Sequence, residues 1–419
     1  MGMKRVQPSV MAAAERHLDA LRPLWRPLSQ ALQWRDEATV ATQVRLAQLA
    51  APTGGEAQRA ALVADAFRLR GFADVRLDAV GNVIARRPAR DAQAPPVVCM
   101  AHLDTVFPAD TLLLLRRDGP RLACPGIGDN ARGLAAMLAI ADALGVPGLD
   151  GDALPLDRPI EFVATVGEEG LGNLRGARAY FDALAEAGVV PSAVLALDGP
   201  GDERIVHHAL GSRRYRVTFD GPGGHSWADF GRPNAVHAAS RAAFWLATLP
   251  AEHRGRLAVT VGRIGGGESL TSIPSHAWLE LDVRAEHAAL LSRADEQVRS
   301  LVRQAVLDEN RGHGDTPLVG EVTLLGDRPA GALDGDHPLV ALAITATRES
   351  GRDPVAAIAS TDANIPLSRG IPAITIGAGG RGGGAHTPDE WYENAAGARG
   401  VSRAMMVLVS LACGRHAFD

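Results

Sequence analysis

The stretch Val97-Val98-Cys99-Met100-Ala101-His102-Leu103-Asp104-Thr105-Val106 constrains the fold more than any other. It reads as a buried strand running into a polar site. Alternation along a strand puts His102 and Asp104 on one face, so the carboxylate can hold one ring nitrogen and leave the other for a metal ion. A lone histidine at a strand end is ordinarily a hydrogen-bonded structural residue. The question is whether partners for it occur elsewhere in the chain.

Composition narrows the classes. At 419 residues the chain is too long for one ordinary core and should hold two or three domains. A net charge of -5 with a pI near 6.2 gives no reason to expect nucleic acid. Three cysteines cannot form a disulfide framework, and one of them, Cys99, sits in the apolar strand, which points to a reducing compartment. Met1 to Arg26 carries Lys4, Arg5, Glu15, Arg16 and Asp19 without a continuous apolar stretch, so neither a signal peptide nor a membrane span is expected there, and a cytoplasmic protein is. Lys4 is the only lysine, which argues against Schiff-base and phosphate-loop chemistry.

Taken in order, Met11 to Ala50 is mostly helical in pattern, interrupted at Pro23 and Pro27, and reads as a surface or scaffold segment. Two strands around Gly81-Asn82 precede the key strand, and Thr111 to Leu115 with Arg121 to Ala123 predicts a hairpin. Cys124 to Asn130 opens a long apolar helix, the strand Ile160 to Val166 ends at Glu168-Glu169, and the strand Ala193 to Leu197 ends at Asp198. Strands alternating with helices, each strand delivering acidic residues at its end, describe an α/β fold with an open sheet and a site along one edge. Past Ile205 the pattern changes to strands with two helices, a compact α+β module. The expected division is 1–208, with a helical extension over 1–40, then an inserted module over 209–326, then a return to the first domain over 327–419.

Collected along the chain, His102, Asp104, Asp129, Glu168, Glu169, Asp198 and His386 fall at element ends. Each has a plain alternative: Asp129 as a helix cap, Glu168-Glu169 as a solvated pair, His386 as a loop residue. Five carboxylates and two imidazoles gathered at one edge would repel one another without cations. Mixed imidazole and carboxylate ligands suit zinc, with cobalt or manganese as substitutes.

The segments Ala101-His102-Leu103-Asp104-Thr105-Val106, Gly128-Asp129-Asn130, Gly167-Glu168-Glu169-Gly170, Leu197-Asp198, Gly223-Gly224-His225-Ser226, Asp282-Val283-Arg284 and Ala385-His386-Thr387 together resemble one family. It is that of the zinc-dependent exopeptidases and deacylases, including glutamate carboxypeptidase, peptidase T and succinyl-diaminopimelate desuccinylase, with the peptidase-T-like members nearest. The resemblance implies a mostly parallel catalytic sheet with an inserted ferredoxin-like lid and dimerisation domain. It also implies two Zn²⁺ per chain, with Asp129 bridging, His102 and Asp198 on one ion, and Glu169 and His386 on the other. Asp104 would orient His102 and Glu168 would act as general base. His225 would donate to the oxyanion, commonly in a partner subunit, so a homodimer is expected. Arg284 is a candidate for gripping a substrate carboxylate, against a surface salt bridge with Asp282 or Glu286.

Asp129 stands where the family's amidohydrolase branch resembles a cysteine, which favours the peptidase-like branch. Thr271 before Ser272-Ile273-Pro274 departs from the family's frequent asparagine, and Ser360 to Asn364 resembles a peptidase-T-like segment to which no role is assigned. Gly377-Ala378-Gly379-Gly380-Arg381-Gly382 satisfies G-x-G-x-x-G but leads into Gly383-Gly384-Ala385-His386 instead of a helix, so a dinucleotide fold is not expected. His207 and His208 are strand neighbours facing opposite ways and are left outside the site. The expected activity is hydrolysis of an amide bond in a di- or tripeptide. The alternatives are a deacylase of N-acyl amino acids, a carboxypeptidase, or a metal- or peptide-binding homologue without catalysis.

Overall fold

The computed structural model describes residues 6–145, 154–249, 256–311 and 316–413; Lys4 lies outside them. The chain divides into two compact units, one running to Ala209 and resuming at Ala332, the other Leu210–Gly331.

In the larger unit the strand Val97–His102 lies between Ile160–Thr165 and Ala193–Leu197, parallel to both. Every residue of it is buried, because the sheet is covered on both faces. Val97, Cys99 and Ala101 face one core, built with the helices Ala131–Leu144 and Gly397–Ala412. Val98 and Met100 face another, built with Leu174, Ala177, Tyr180 and Phe181. Ala373–Ile376 continues the sheet parallel to Ala193–Leu197. Arg204–Ala209 follows antiparallel and carries Val355–Ala359 beside it, so the strand at the expected change of pattern belongs to this sheet. On the other side Val83–Arg87 and Asp74–Leu77 close the sheet in antiparallel pairing. Parallel strands at the centre put the ends that carry the candidate residues on one edge.

The N-terminal segment forms three helices, Pro8–Ala20, Arg22–Trp34 and Asp36–Ala47. Pro23 falls in the first turn of the second helix, where its missing N–H costs nothing, and Pro27 lies inside that helix without ending it. Leu18, Trp25, Leu28, Leu32 and Leu46 enter the main core, so the segment is a part of it and not only a surface layer. The hairpin also differs from expectation. Arg116–Asp118, not 111–115, pairs with Arg121–Ala123, because the two-residue turn Gly119-Pro120, with Gly119 at φ 56°, brings the strands together immediately beside it.

The smaller unit follows the order strand, helix, strand, strand, helix, strand. Its sheet runs Leu257–Gly266, His276–Ala285, Gly211–Asp220, Val319–Arg328, all antiparallel. Tyr215, Val217 and Phe219 alternate inward with Ala277, Leu279, Leu281 and Val283 against the helices Ala235–Thr248 and Ala288–Asn310. Period-two patterning with two helices on one face gives the ferredoxin-like arrangement.

Candidate metal centre

Each candidate in the larger unit sits where regular structure stops. The key strand ends at His102, and its Nδ1 lies 3.1 Å from the carbonyl oxygen of Asp104 and 3.6 Å from its carboxylate. Sheet-like bonding continues past His102, with the Leu103 N–H donating to the Thr165 carbonyl at 2.7 Å and Thr105 bridged in parallel to Pro52, and the ring meets both the carbonyl and the carboxylate of Asp104. The Asp104 carboxylate accepts the N–H groups of Glu168 and Glu169, both at 2.9 Å, and the Thr53 hydroxyl at 2.8 Å. It holds the glutamate turn as well as facing the imidazole.

Asp129 ends the loop that precedes the helix Ala131–Leu144. The cap of that helix is Asn130, whose Oδ1 accepts the Gly133 N–H at 3.0 Å and whose amide donates to the Leu197 carbonyl at 2.8 Å. The capping role open to Asp129 is thus filled by its neighbour, and the Asp129 carboxylate is left between two imidazoles. His102 Nε2 lies 3.0 Å from its Oδ1 and His386 Nε2 lies 3.1 Å from its Oδ2. His386 Nε2 is also 3.0 Å from Glu169 Oε1, and Asp198 Oδ1 is 4.0 Å from His102 Nε2. Asp129 Oδ1 is buried and accepts no hydrogen bond of good geometry despite its neighbour at 3.0 Å, as with donors aimed at a shared point and not at one another.

The donor atoms fall into three groups, each within 4.8 Å: His102 with Asp129 and Asp198; Asp129 with Glu169 and His386; and His102 with Glu168 and Glu169. His102, Asp129 and Glu169 each belong to two of them, and a mixed imidazole and carboxylate donor set of this kind suits divalent metal ions. The electrostatics carry the same tension. Burial works to lower the pKa of His102, yet the Asp104 and Asp129 carboxylates outweigh it and raise it well above the ordinary value. Asp129 and Glu169 push His386 up to about 10. Burial and the nearby Asp129 charge push Asp198 up to about 6, whereas Asp129, against the effect of burial, is held below the usual range by the two histidines. Without cations, the imidazolium protons are what offset the carboxylates.

The smaller unit holds the other two candidates. Exposed His225 donates its main-chain N–H to the Asp229 carboxylate at 2.8 Å, and its ring Nδ1 accepts the N–H groups of Trp227 at 3.1 Å and Ala228 at 3.3 Å. This fixes the neutral ring as the Nε2–H tautomer. Arg284 pairs with Asp282 at 2.6 Å. His207 binds the Leu333 carbonyl through Nδ1 and takes no part in the donor groups. The run from Gly377 packs against backbone: a Cβ on Gly377 would lie 2.5 Å from the Gly201 carbonyl oxygen.

Two buried carboxylates near the site carry no assignment from the sequence. Buried Glu390 accepts the N–H groups of Gly126, Gly128 and Asp129, and burial pushes its pKa up to about 7. Its one visible signal is an acid four residues after His386. Asp362, in the segment left without a role, is buried and accepts the Thr165 hydroxyl; burial pushes it up to about 6.

Residues 98–410 match the profile of peptidase family M20/M25/M40. A probable carboxypeptidase from Aspergillus terreus is 25% identical over 290 residues, 64% of this chain and 64% of that relative, so the match spans somewhat less than two thirds of its length. Among solved structures, an aminopeptidase PepT from Bacillus cereus superposes with a TM-score of 0.71 at 22% identity, covering 90% of this chain and 98% of that one. A tripeptidase from Staphylococcus aureus gives 0.73 at 19% identity, covering 89% and 98%. An amidase of the hydantoinase/carbamoylase family from Burkholderia multivorans gives 0.63 at 18%, covering 90% and 98%. These likenesses show the fold, and the profile match over most of the sequence shows the lineage: the chain belongs to the M20/M25/M40 peptidase family.

Proposed function

We propose that this protein is a two-metal hydrolase that cleaves an amide bond of small peptides as a di- or tripeptide exopeptidase. The observation that carries the reading is the shared donor set around Asp129 with a further buried glutamate, Glu168, beside it. His102 and Asp198 would hold one ion, Glu169 and His386 the other, with Asp129 between them. Zinc suits this donor set, with cobalt or manganese as substitutes. Bound divalent cations would polarise the scissile carbonyl and make a water nucleophilic near neutral pH.

The chain supplies the rest. Glu168, its main chain tied to Asp104 at 2.9 Å, takes a proton from the attacking water and returns it to the leaving amine. His225, held as the Nε2–H tautomer, donates to the oxyanion, and the homodimer expected from the resemblance belongs to this reading. A cavity of about 420 Å³ lined by Asp129, Asp198, Arg204, Ser360, Thr361 and Trp391 offers room for a small substrate in the larger unit. The Aspergillus relative supports a carboxypeptidase as the second reading, for which Arg284 would take the substrate carboxylate.

The test is Glu168→Gln. Metal content per chain should stay at the wild-type level while kcat falls by roughly 10² to 10⁴-fold; unchanged turnover would sink the mechanism. Di- and tripeptides blocked at one terminus or the other, with N-acyl amino acids, assayed with added Zn²⁺ or Co²⁺, separate the two readings.

A further inference from the structure

Glu390 is a buried carboxylate that the mechanism leaves unused. It lies four residues after His386, so one short segment delivers both side chains. Its Oε1 accepts the N–H groups of Gly128 at 2.7 Å and Asp129 at 2.8 Å, and its Oε2 accepts that of Gly126 at 2.9 Å. Its carbonyl oxygen accepts the N–H of Cys124 at 3.0 Å. The loop leading to Asp129 thus directs several main-chain donors at one residue. Regular helix begins only at Ala131, so these bonds, and not a helical ladder, fix where Asp129 stands. The fit is close: a Cβ on Gly128 would lie 3.0 Å from Glu390 Oε1, and one on Gly126 would lie 2.8 Å from Thr105 Cγ2.

We propose that Glu390 is a positioning residue for Asp129. Its carboxylate holds the loop so that Asp129 faces His102 and His386 at once, the placement that one carboxylate needs to serve two cations. The inference rests on the two-metal reading above. A carboxylate is required, because every group it meets is an N–H donor. A glutamine there would turn its NH₂ toward a main-chain N–H, leaving both without an acceptor.

The test compares wild type with Glu390→Gln by titrating metal-free protein with Zn²⁺ against a fluorescent chelator, alongside urea unfolding of the metal-free form. Val340→Ala, a large-to-small change in the core, serves as a control that lowers stability elsewhere. The expected result is a 10 to 100-fold loss of Zn²⁺ affinity in Glu390→Gln, the size found when a partner of a metal ligand is removed, with wild-type affinity in the Val340→Ala control. Should Glu390→Gln not fold, Gly128→Ala, which pushes the loop off the Glu390 carboxylate, should weaken Zn²⁺ binding in the same direction. Zn²⁺ affinity within twofold of wild type in whichever of the two folds overturns the positioning role alone. A wild type that takes up no Zn²⁺ overturns it together with the two-metal reading.

Discussion

In the larger unit the candidate groups are braced from behind: the Asp104 carboxylate by three donors, the Asp129 loop by Glu390, the Asn130 cap by Gly133 and Leu197. In the smaller unit His225 is exposed, its ring accepting only N–H groups of its own turn while its main chain pairs with Ser272, and Arg284, 44% exposed, is tied to a strand neighbour. The difference separates two kinds of work. Donors that must converge on a cation need fixed positions, because a small displacement at any one weakens all. Groups that meet a substrate can wait at a surface until it arrives. Metal affinity should therefore belong to the larger unit, and changes in the smaller one should register in turnover.

His225→Ala puts the strongest pressure on that division. Loss of an oxyanion donor should lower kcat by roughly 10² to 10³-fold, with Zn²⁺ affinity as in wild type. A matching fall in Zn²⁺ affinity would break the separation.

Asp104→Asn sharpens it from the other side. The new amide would face main-chain N–H groups that now find a carboxylate, and Zn²⁺ affinity should fall about 10 to 100-fold without unfolding. A titration showing wild-type affinity would return Asp104 to a purely structural role.

These two variants also mark how much the sequence made legible. The key strand announced itself because a run apolar on both faces has one economical home, and the acids and imidazoles stood out because they interrupt apolar elements at their ends. Their grouping could be argued from repulsion, while the role of each came from the resemblance. Glu390 escaped because its work is done on main-chain N–H groups, which leave no trace in residue identity. The second task of Asp104 escaped for a related reason, as its carboxylate also accepts the main-chain N–H groups of Glu168 and Glu169. The 111–115 strand was misplaced because the short turn at Gly119-Pro120, and not apolarity, sets which residues pair.

Titration gives a third, gentler test. In the metal-free protein His386 is raised to about 10 from an ordinary value near 6.5 by Asp129 and Glu169. A raised pKa contributes stability that is fully present below the unfolded value and is lost as pH rises through the folded one. The metal-free form should thus lose this contribution between pH 6.5 and 10. Zn²⁺ must displace the same proton, so its affinity should rise across that window by up to about tenfold per pH unit for each proton displaced. Calorimetry in buffers of different ionisation enthalpy checks the proton release, and pH-independent uptake would mean that His386 binds no cation.

The smallest effect is expected at Arg284. Asp282 accepts Arg284 at 2.6 Å and also lies 3.5 Å from Arg214, so removing Arg284 leaves the carboxylate with a second guanidinium. Both partners are partly exposed, and such pairs contribute about 0 to 1 kcal/mol. Arg284→Ala should therefore change stability by no more than about 1 kcal/mol in urea unfolding. If the guanidinium grips a substrate carboxylate, KM should rise several-fold for a peptide with a free C-terminus and stay constant for its amide. An equal response to both peptides would leave Arg284 as a surface ion pair and move the search for the carboxylate anchor to the larger unit, where Arg204 lines the cavity beside Asp198.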